Sequence, residues 1–421
     1  MQIYYFRICI IIRFYVPLRK KTMASMTNLD FSKPIPFFTS RSAKDGVQTI
    51  IEDSYESVSE QTLRLWYQGL CSEEELQRIL HVSNAQDYIL RAAVDTISAD
   101  ARLCRVIQKH RRVLGSKWSL EKYLSPITAG YRFFKRHLPI EIRNQVDSVG
   151  TGCILSNDMN GIIFDSQYGP CSTISYSLKY VVEYASLALM PSDIPMDIKT
   201  AAMRIAVRTA LGKEALDFDL DKRGIIPRSI KEEIRKPFPY ICAFIAGHEY
   251  GHFLNGDVSP QNITKPFHNR SPKDMTSSWV SKIYYSSHEK ELAADPSAIN
   301  LPRFSDKEYS SYYFYAQLWF SMLAIIEAAE DYIFPPMRTP SHPSAKIRYK
   351  NILEKAKKPY DFKENEKLYR VSMPNMINYW SDFIINDVGL HFDYYEMYGS
   401  AYLAEPNTEW RGRELIDRVD Y

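Results

Sequence analysis

The chain has 421 residues, 45% of them hydrophobic and 24% charged, with a formal net charge of +3. That length supports a large core and one to three domains of ordinary globular composition. So small a net charge excludes the basic footprint of a nucleic-acid binder and gives no reason to expect an anionic membrane as partner. Six cysteines, at 9, 71, 104, 153, 171 and 242, show no Cys-x-x-Cys spacing. They predict scattered reduced thiols in a cytoplasmic protein, not a disulfide framework or a cysteine-rich zinc site.

Residues 1–30 are expected to be a disordered or non-native leader, with Met23 or Met26 as the working start. Within it, residues 3–17 are apolar but interrupted by Arg7 and Arg13, too short and too charged for a confident membrane span. A membrane anchor through this run is the alternative. Residues 31–148 are assigned to an α-helical accessory region, beginning with an extended arm over 31–48. Ser72-Glu-Glu-Glu75 is a capping box that opens a short helix to about His81. Ser83-Asn84 opens a longer helix in which Ile89, Leu90, Ala93, Val94 and Ile97 fall at helical spacing. Lys109-His-Arg-Arg112 reads as a solvated basic face, and a further helix is expected over roughly 118–137.

Composition shifts at Val149-Gly-Thr-Gly152, where a second domain, 149–358, is placed. Cys153–Ser156, Gly161–Phe164 and Cys171–Ser175 are short β-like runs separated by turn residues, which predicts a small antiparallel sheet. Helices are expected at about 176–190 and 195–212, followed by a polar, charged stretch from Asp217 to Lys236. The fold class is therefore mainly α with a small β-sheet, α+β.

The stretch Phe244-Ile-Ala-Gly-His248-Glu249-Tyr-Gly-His252 carries the chemistry. It lies in a helix expected over about 240–254, bounded by Pro237 and Pro239 before it and by Asn255-Gly256 after it. His248 and His252, four residues apart on one face, can reach a single metal ion. Glu249 sits about 100° round the helix, beside the water that a catalytic zinc activates. The five-residue pattern arises by chance in roughly one chain in a hundred of this composition, so its setting matters. The helix is apolar all round and belongs in a core. Gly247 and Gly251 each cost about 1 kcal/mol of helix propensity against alanine, which predicts close approach of a neighbouring element.

A catalytic zinc takes three protein ligands and leaves one position open. After a long polar segment to about residue 280, Ser286-Ser-His-Glu289 reads as a capping box opening a helix with Glu291 and Asp295 one turn apart. Glu291 is the first choice for third ligand, with Asp295 orienting a ligand histidine by accepting its free N–H. His288 and Glu289 are the competing ligands. Pro296 is expected to kink this helix directly after Asp295. An apolar helix at about Tyr309–Ala329, a rigid loop at Pro335–Pro343 and an amphipathic helix to about Lys357 follow. Residues 359–421 read as an extension packed on the second domain.

His-Glu-x-x-His followed after about 40 residues by Glu291-Leu-Ala-Ala294-Asp295 resembles the gluzincin metallopeptidases, most closely the prenyl-protein and heat-shock membrane peptidases. The resemblance covers about residues 238–350, at the motifs. It implies a zincin-like domain, one zinc ion per chain and Glu291 as third ligand. Ser341-His342-Pro343-Ser-Ala-Lys-Ile-Arg348 is similar to a late segment of that group, which implies that His342, and after it Arg348, helps to stabilise the transition state. The membrane helices of the best-known members are missing from the pattern, so the chain looks like a soluble relative. The Lit-type phage-exclusion peptidases, which cut a host translation factor, are one such subgroup. The function expected is zinc-dependent hydrolysis of a protein or peptide substrate, with Glu249 as general base. The alternatives are a non-catalytic metal-binding sensor or interaction module on a peptidase scaffold, and a narrow-specificity defence or toxin peptidase.

Overall fold

The structure is a computed structural model and describes residues 60–155, 159, 161–191, 193–257, 278–334 and 342–403. The expected leader, the residue 3–17 run, the arm over 31–48, most of the polar segment after Gly256 and the loop from 335 to 341 lie outside the described residues.

Helices open the described chain: α1 (Glu60–Tyr67), α2 (Glu73–Leu80), α3 (Ala85–Ser98), α4 (Ala101–Leu114), α5 (Leu120–Leu124), α6 (Ala129–Arg136) and α7 (Ile140–Val146). The Ser72 box is formed: Ser72 Oγ accepts the Glu75 N–H at 3.2 Å, and Glu75 Oε2 accepts the Ser72 N–H at 2.8 Å. The same buried carboxylate also accepts the N–H groups of Leu120 and Glu121 and the Ser119 hydroxyl, so one side chain satisfies the starts of two helices. The single helix expected over 118–137 is divided into α5 and α6. Pro126 lies in the break, where its missing N–H and its ring interrupt an α-helical ladder. On α4, Lys109, Arg111 and Arg112 are exposed, as a solvated face requires.

Three strands follow, β1 (Gly150–Ile154), β2 (Gly161–Ser166) and β3 (Gly169–Ser175), in the order β1-β3-β2. β2 and β3 form the expected antiparallel hairpin, with Gly161 opposite Ile174 and Ser166 opposite Gly169. β1 corrects the expectation, because it runs parallel to β3, from Gly150 beside Cys171 to Ile154 beside Ser175. β3 is inserted between its two predecessors, and β1 is held on its outer side against α3. The result is a mainly helical α+β architecture with a small mixed sheet, and β2 forms the edge that faces the central helix.

The rest is helical: α8 (Ser177–Leu189), α9 (Met196–Ala210), α10 (Arg228–Arg235), α11 (Pro237–Leu254), α12 (Ser278–Asn300), α13 (Asp306–Ile333), α14 (Ala345–Lys355), α15 (Phe362–Lys367), α16 (Met373–Leu390) and α17 (Phe392–Glu396). The charged stretch from Asp217 to Lys236 is more than a connection. Besides α10 it contains Arg223, fully buried and bonded to Glu214 at 2.8 Å and Asp217 at 3.0 Å. Arg208 takes the other Glu214 oxygen at 3.0 Å, and the Ala401 N–H reaches Glu214 at 2.9 Å. Buried charges persist only when paired in this way, and the network fastens the end of the described chain to α9.

α11 is the hub. It packs against α6, α8, α12, α13 and strands β2 and β3, which explains why its surface is apolar all round. Its prolines lie inside the first turn and do not precede it, since the orphan N–H positions there tolerate proline. The two glycines serve different neighbours. A Cβ at Gly247 would fall 2.4 Å from the Phe134 ring of α6, whereas Gly251 faces Ala294 of α12.

α12 begins upstream of the expected Ser286 start and continues through Pro296 to Asn300. Proline cannot donate to the carbonyl four residues back, Leu292. Asn351 of α14 does so instead, its Nδ2 donating to the Leu292 oxygen at 2.7 Å. A side chain from a neighbouring helix thus fills the missing rung. α13 is longer than expected and packs on α11, α14 and α16; among the described residues no helix is long and apolar enough to cross a membrane. One core cluster of buried apolar side chains runs from Leu63 to Leu403, and the described cysteines are all buried and free.

Candidate metal centre

The helical spacings on α11 and α12 place three donors at one point. His248, His252 and Glu291 offer ligand atoms that all lie within 4.8 Å of one another. The two Nε2 atoms are 3.1 Å apart, His248 Nε2 is 3.1 Å from Glu291 Oε2, and His252 Nε2 is 3.1 Å from Glu291 Oε1. Around a tetrahedral metal with bonds of about 2.0–2.1 Å, two nitrogen ligands stand about 3.3–3.4 Å apart. The donors therefore need to move by only a few tenths of an ångström. Glu291 Oε2 is buried and lies 3.1 Å from His248 Nε2, and a buried carboxylate oxygen facing an imidazole nitrogen needs a proton or a cation between them. The group could hold a metal ion.

The outer nitrogens of both imidazoles meet carboxylates. His248 Nδ1 is 2.9 Å from Asp295 Oδ1, and His252 Nδ1 is 3.0 Å from Asp257 Oδ2. Asp295, which is fully buried, is gripped at both oxygens by Arg348, at 2.6 and 2.8 Å. Burial alone would raise the Asp295 pKa, but Arg348 and then His248 hold it below its ordinary value. It therefore stays an acceptor for a proton at His248 Nδ1, which would leave Nε2 to face a metal ion.

Each basicity follows from the same contacts. Burial would lower the His252 pKa, but hydrogen bonds to Asp257 and Glu291 outweigh it and push it up to about 10. His248 is likewise raised against burial by Glu291 and Asp295. Glu291 is held well below the carboxylate range by His248 and His252, again against burial. Glu249 goes the other way, because burial raises it and the nearby imidazoles offset that only in part.

Glu249 is 7% exposed and turns towards β2. The strand approaches so closely that a Cβ at Gly161 would lie 2.3 Å from Ile245 Cγ2 and 3.4 Å from Glu249 Oε1. His342 also reaches the site, its Nε2 3.5 Å from Glu291 Oε2 and its side chain 39% exposed. Its pKa is lowered, first by burial. Arg348 lies deeper, paired with Asp295 and 3.7 Å from Glu291 Oε2.

The sequence-derived residues His248, His252, Glu249, Glu291, Asp295, His342 and Arg348 are thus all gathered here. His288 and Glu289, the competing ligands, are outside the convergent trio, and Glu289 is exposed. Two contributors were missed. Asp257 follows the helix-stop pair Asn255-Gly256, and an acid at that place was the available signal. Asn351 carried none, because its partner is a backbone carbonyl of another helix. In comparisons with known proteins, no family model, no curated protein and no solved structure matches this chain.

Proposed function

We propose that this protein is a zinc-dependent peptidase with a zincin-like domain, acting on protein or peptide substrates. The observation that carries the reading is the convergence of His248, His252 and Glu291, with both outer imidazole nitrogens held by carboxylates and a further buried glutamate beside them. Two imidazoles and one carboxylate are a donor set of catalytic zinc, which borderline-soft character suits. A zinc ion held there would lower the pKa of a water and polarise a peptide carbonyl.

The chain's own groups supply the remainder. Glu249, whose pKa is raised by burial, takes a proton from the attacking water and delivers it to the leaving amine. His342, on the more open side, donates a hydrogen bond to the oxyanion that develops on the substrate. The edge strand β2 runs past Glu249 and offers backbone groups to an extended peptide. Arg348 keeps Asp295 ionised, and Asp295 keeps His248 in register.

The test is Glu249→Gln in the full chain, read by zinc content and by comparing peptide termini in cells that express parent or variant. Retained zinc with loss of every parent-specific cleavage is expected. Cleavage at the parental rate in the variant would end the proposal, and a parent that carries less than about half an equivalent of zinc would favour a binding module.

A further inference from the structure

α11 does not merely stop at Asn255-Gly256. Gly256 adopts φ +73°, its N–H bonds to the Phe253 carbonyl at 3.0 Å, and the Asp257 N–H bonds to the His252 carbonyl at 3.0 Å. This is a Schellman ending, which depends on a left-handed residue at that place and so on glycine. The turn folds Asp257 back over the helix end. Its Oδ2 meets His252 Nδ1 at 3.0 Å, and its Oδ1 meets Lys290 Nζ at 3.1 Å. Lys290 directly precedes Glu291 on α12.

We infer that Asp257 is a positioning residue of the metal centre: it fixes the tautomer and ring plane of His252 and, through Lys290, ties the end of α11 to α12 beside Glu291. The inference rests on the metal reading given above. The two ligand histidines are then supported alike, each by a carboxylate that is itself held by a cation. They differ in burial. Asp295 and Arg348 are enclosed, whereas the Lys290 side chain is 39% exposed. Solvent weakens the outer ion pair, so the Asp257–His252 bond carries most of the effect and Lys290 a small part. A plain helix-end ion pair would have no bearing on metal affinity.

The experiment measures the zinc dissociation constant of the full chain by competition with a chromophoric chelator, in the parent, Asp257→Ala, Asp257→Asn and Lys290→Met. Unfolding of the zinc-free proteins is followed in parallel. Asp257→Ala is expected to weaken zinc by about 10–100-fold. Asp257→Asn keeps an acceptor for Nδ1–H without the charge and is expected to lose less than about tenfold. Lys290→Met should lose roughly two- to threefold. In Asp257→Asn the fall in zinc-free stability should be smaller than the loss of zinc binding. Equal zinc affinity in parent and Asp257→Ala overturns the positioning role and leaves the metal reading intact. A parent that binds no zinc defeats the metal reading itself, and this inference with it. A loss that Asp257→Asn shares in full, matched by an equal fall in zinc-free stability, assigns Asp257 to folding and also overturns the inference.

Discussion

Replacing Asn351 by leucine should destabilise the protein only because residue 296 is a proline. In α12 the Leu292 carbonyl has no backbone donor four residues on, and Asn351 Nδ2 fills that place at 2.7 Å. Asn351 is only 7% exposed, so water cannot readily replace the lost donor. Leucine has about the same shape and no N–H, and an unsatisfied buried carbonyl costs about 1–3 kcal/mol. In Pro296→Ala the backbone N–H of residue 296 becomes available to the same carbonyl. There the Asn351→Leu cost should fall below about 1 kcal/mol, giving a coupling of about 1–2 kcal/mol between two residues on different helices. Urea unfolding of the four metal-free proteins measures this cycle. If Asn351→Leu costs the same in both backgrounds, to within about 0.5 kcal/mol, the substitute-donor reasoning is wrong.

Removing Arg348 as Arg348→Met leaves Asp295 buried beside His248 without its cation, and should cost about 3–5 kcal/mol in the same assay; Arg348→Lys should recover only part, since a single ammonium cannot reproduce the two-point grip. A cost below about 1 kcal/mol would contradict that account. Gly161→Ala should push β2 away from Ile245 and Glu249, lowering kcat by up to about a hundredfold with zinc content unchanged; equal loss of zinc would show that the strand matters to the metal site and not to the base. Acid stability should depend on Asp387. Burial would raise its pKa, but Arg204 and then Tyr395 bond its ionised form and hold it below the ordinary 3.8. A folded value below the unfolded one gives stability that is complete above about pH 4 and disappears as pH falls through the folded value. Asp387→Asn should therefore flatten the loss of stability below about pH 4 and leave its slope above about pH 5 unchanged, as read from urea midpoints across that range.

Local signals were legible where one side chain acts on its own neighbourhood. The Ser72–Glu75 box, the Asn84 start of α3, the helix stop at Asn255-Gly256 and the hairpin of β2 and β3 depend on bonds within a few residues, and each is formed. What the sequence left unread needs a partner from far along the chain. The parallel placement of β1 depends on α3, which holds it on the outer side of β3. The charged stretch after Asp217 read only as a polar lead into the next helix, yet Arg223 is fully buried. Its compensating acids include Glu214, which is closed from the other side by Ala401, nearly two hundred positions away. Composition cannot report such a pairing, because a satisfied buried ion and a solvated one have the same letter.

The candidate site shows how local and distant information combine. Each of three helices contributes a pair of groups at helical spacing: His248 and His252 on α11, Glu291 and Asp295 on α12, Arg348 and Asn351 on α14. Spacing of three or four residues puts each pair on one face, and that much any reader of the sequence can see. It says nothing about which faces meet. The structure joins them by contacts that use both ends of a group at once. His248 touches Glu291 with one nitrogen and Asp295 with the other, so α12 cannot slide by a turn past α11 without breaking one contact. Arg348 and Asn351 bind Asp295 and the Leu292 carbonyl, a side-chain and a backbone mark on the same stretch of α12. Pro296, which from sequence alone threatens the placement of Glu291, creates the open carbonyl that gives α14 one of its two holds on this helix. The residue expected to disturb the site thereby helps to fix the register in which its carboxylates meet the histidines.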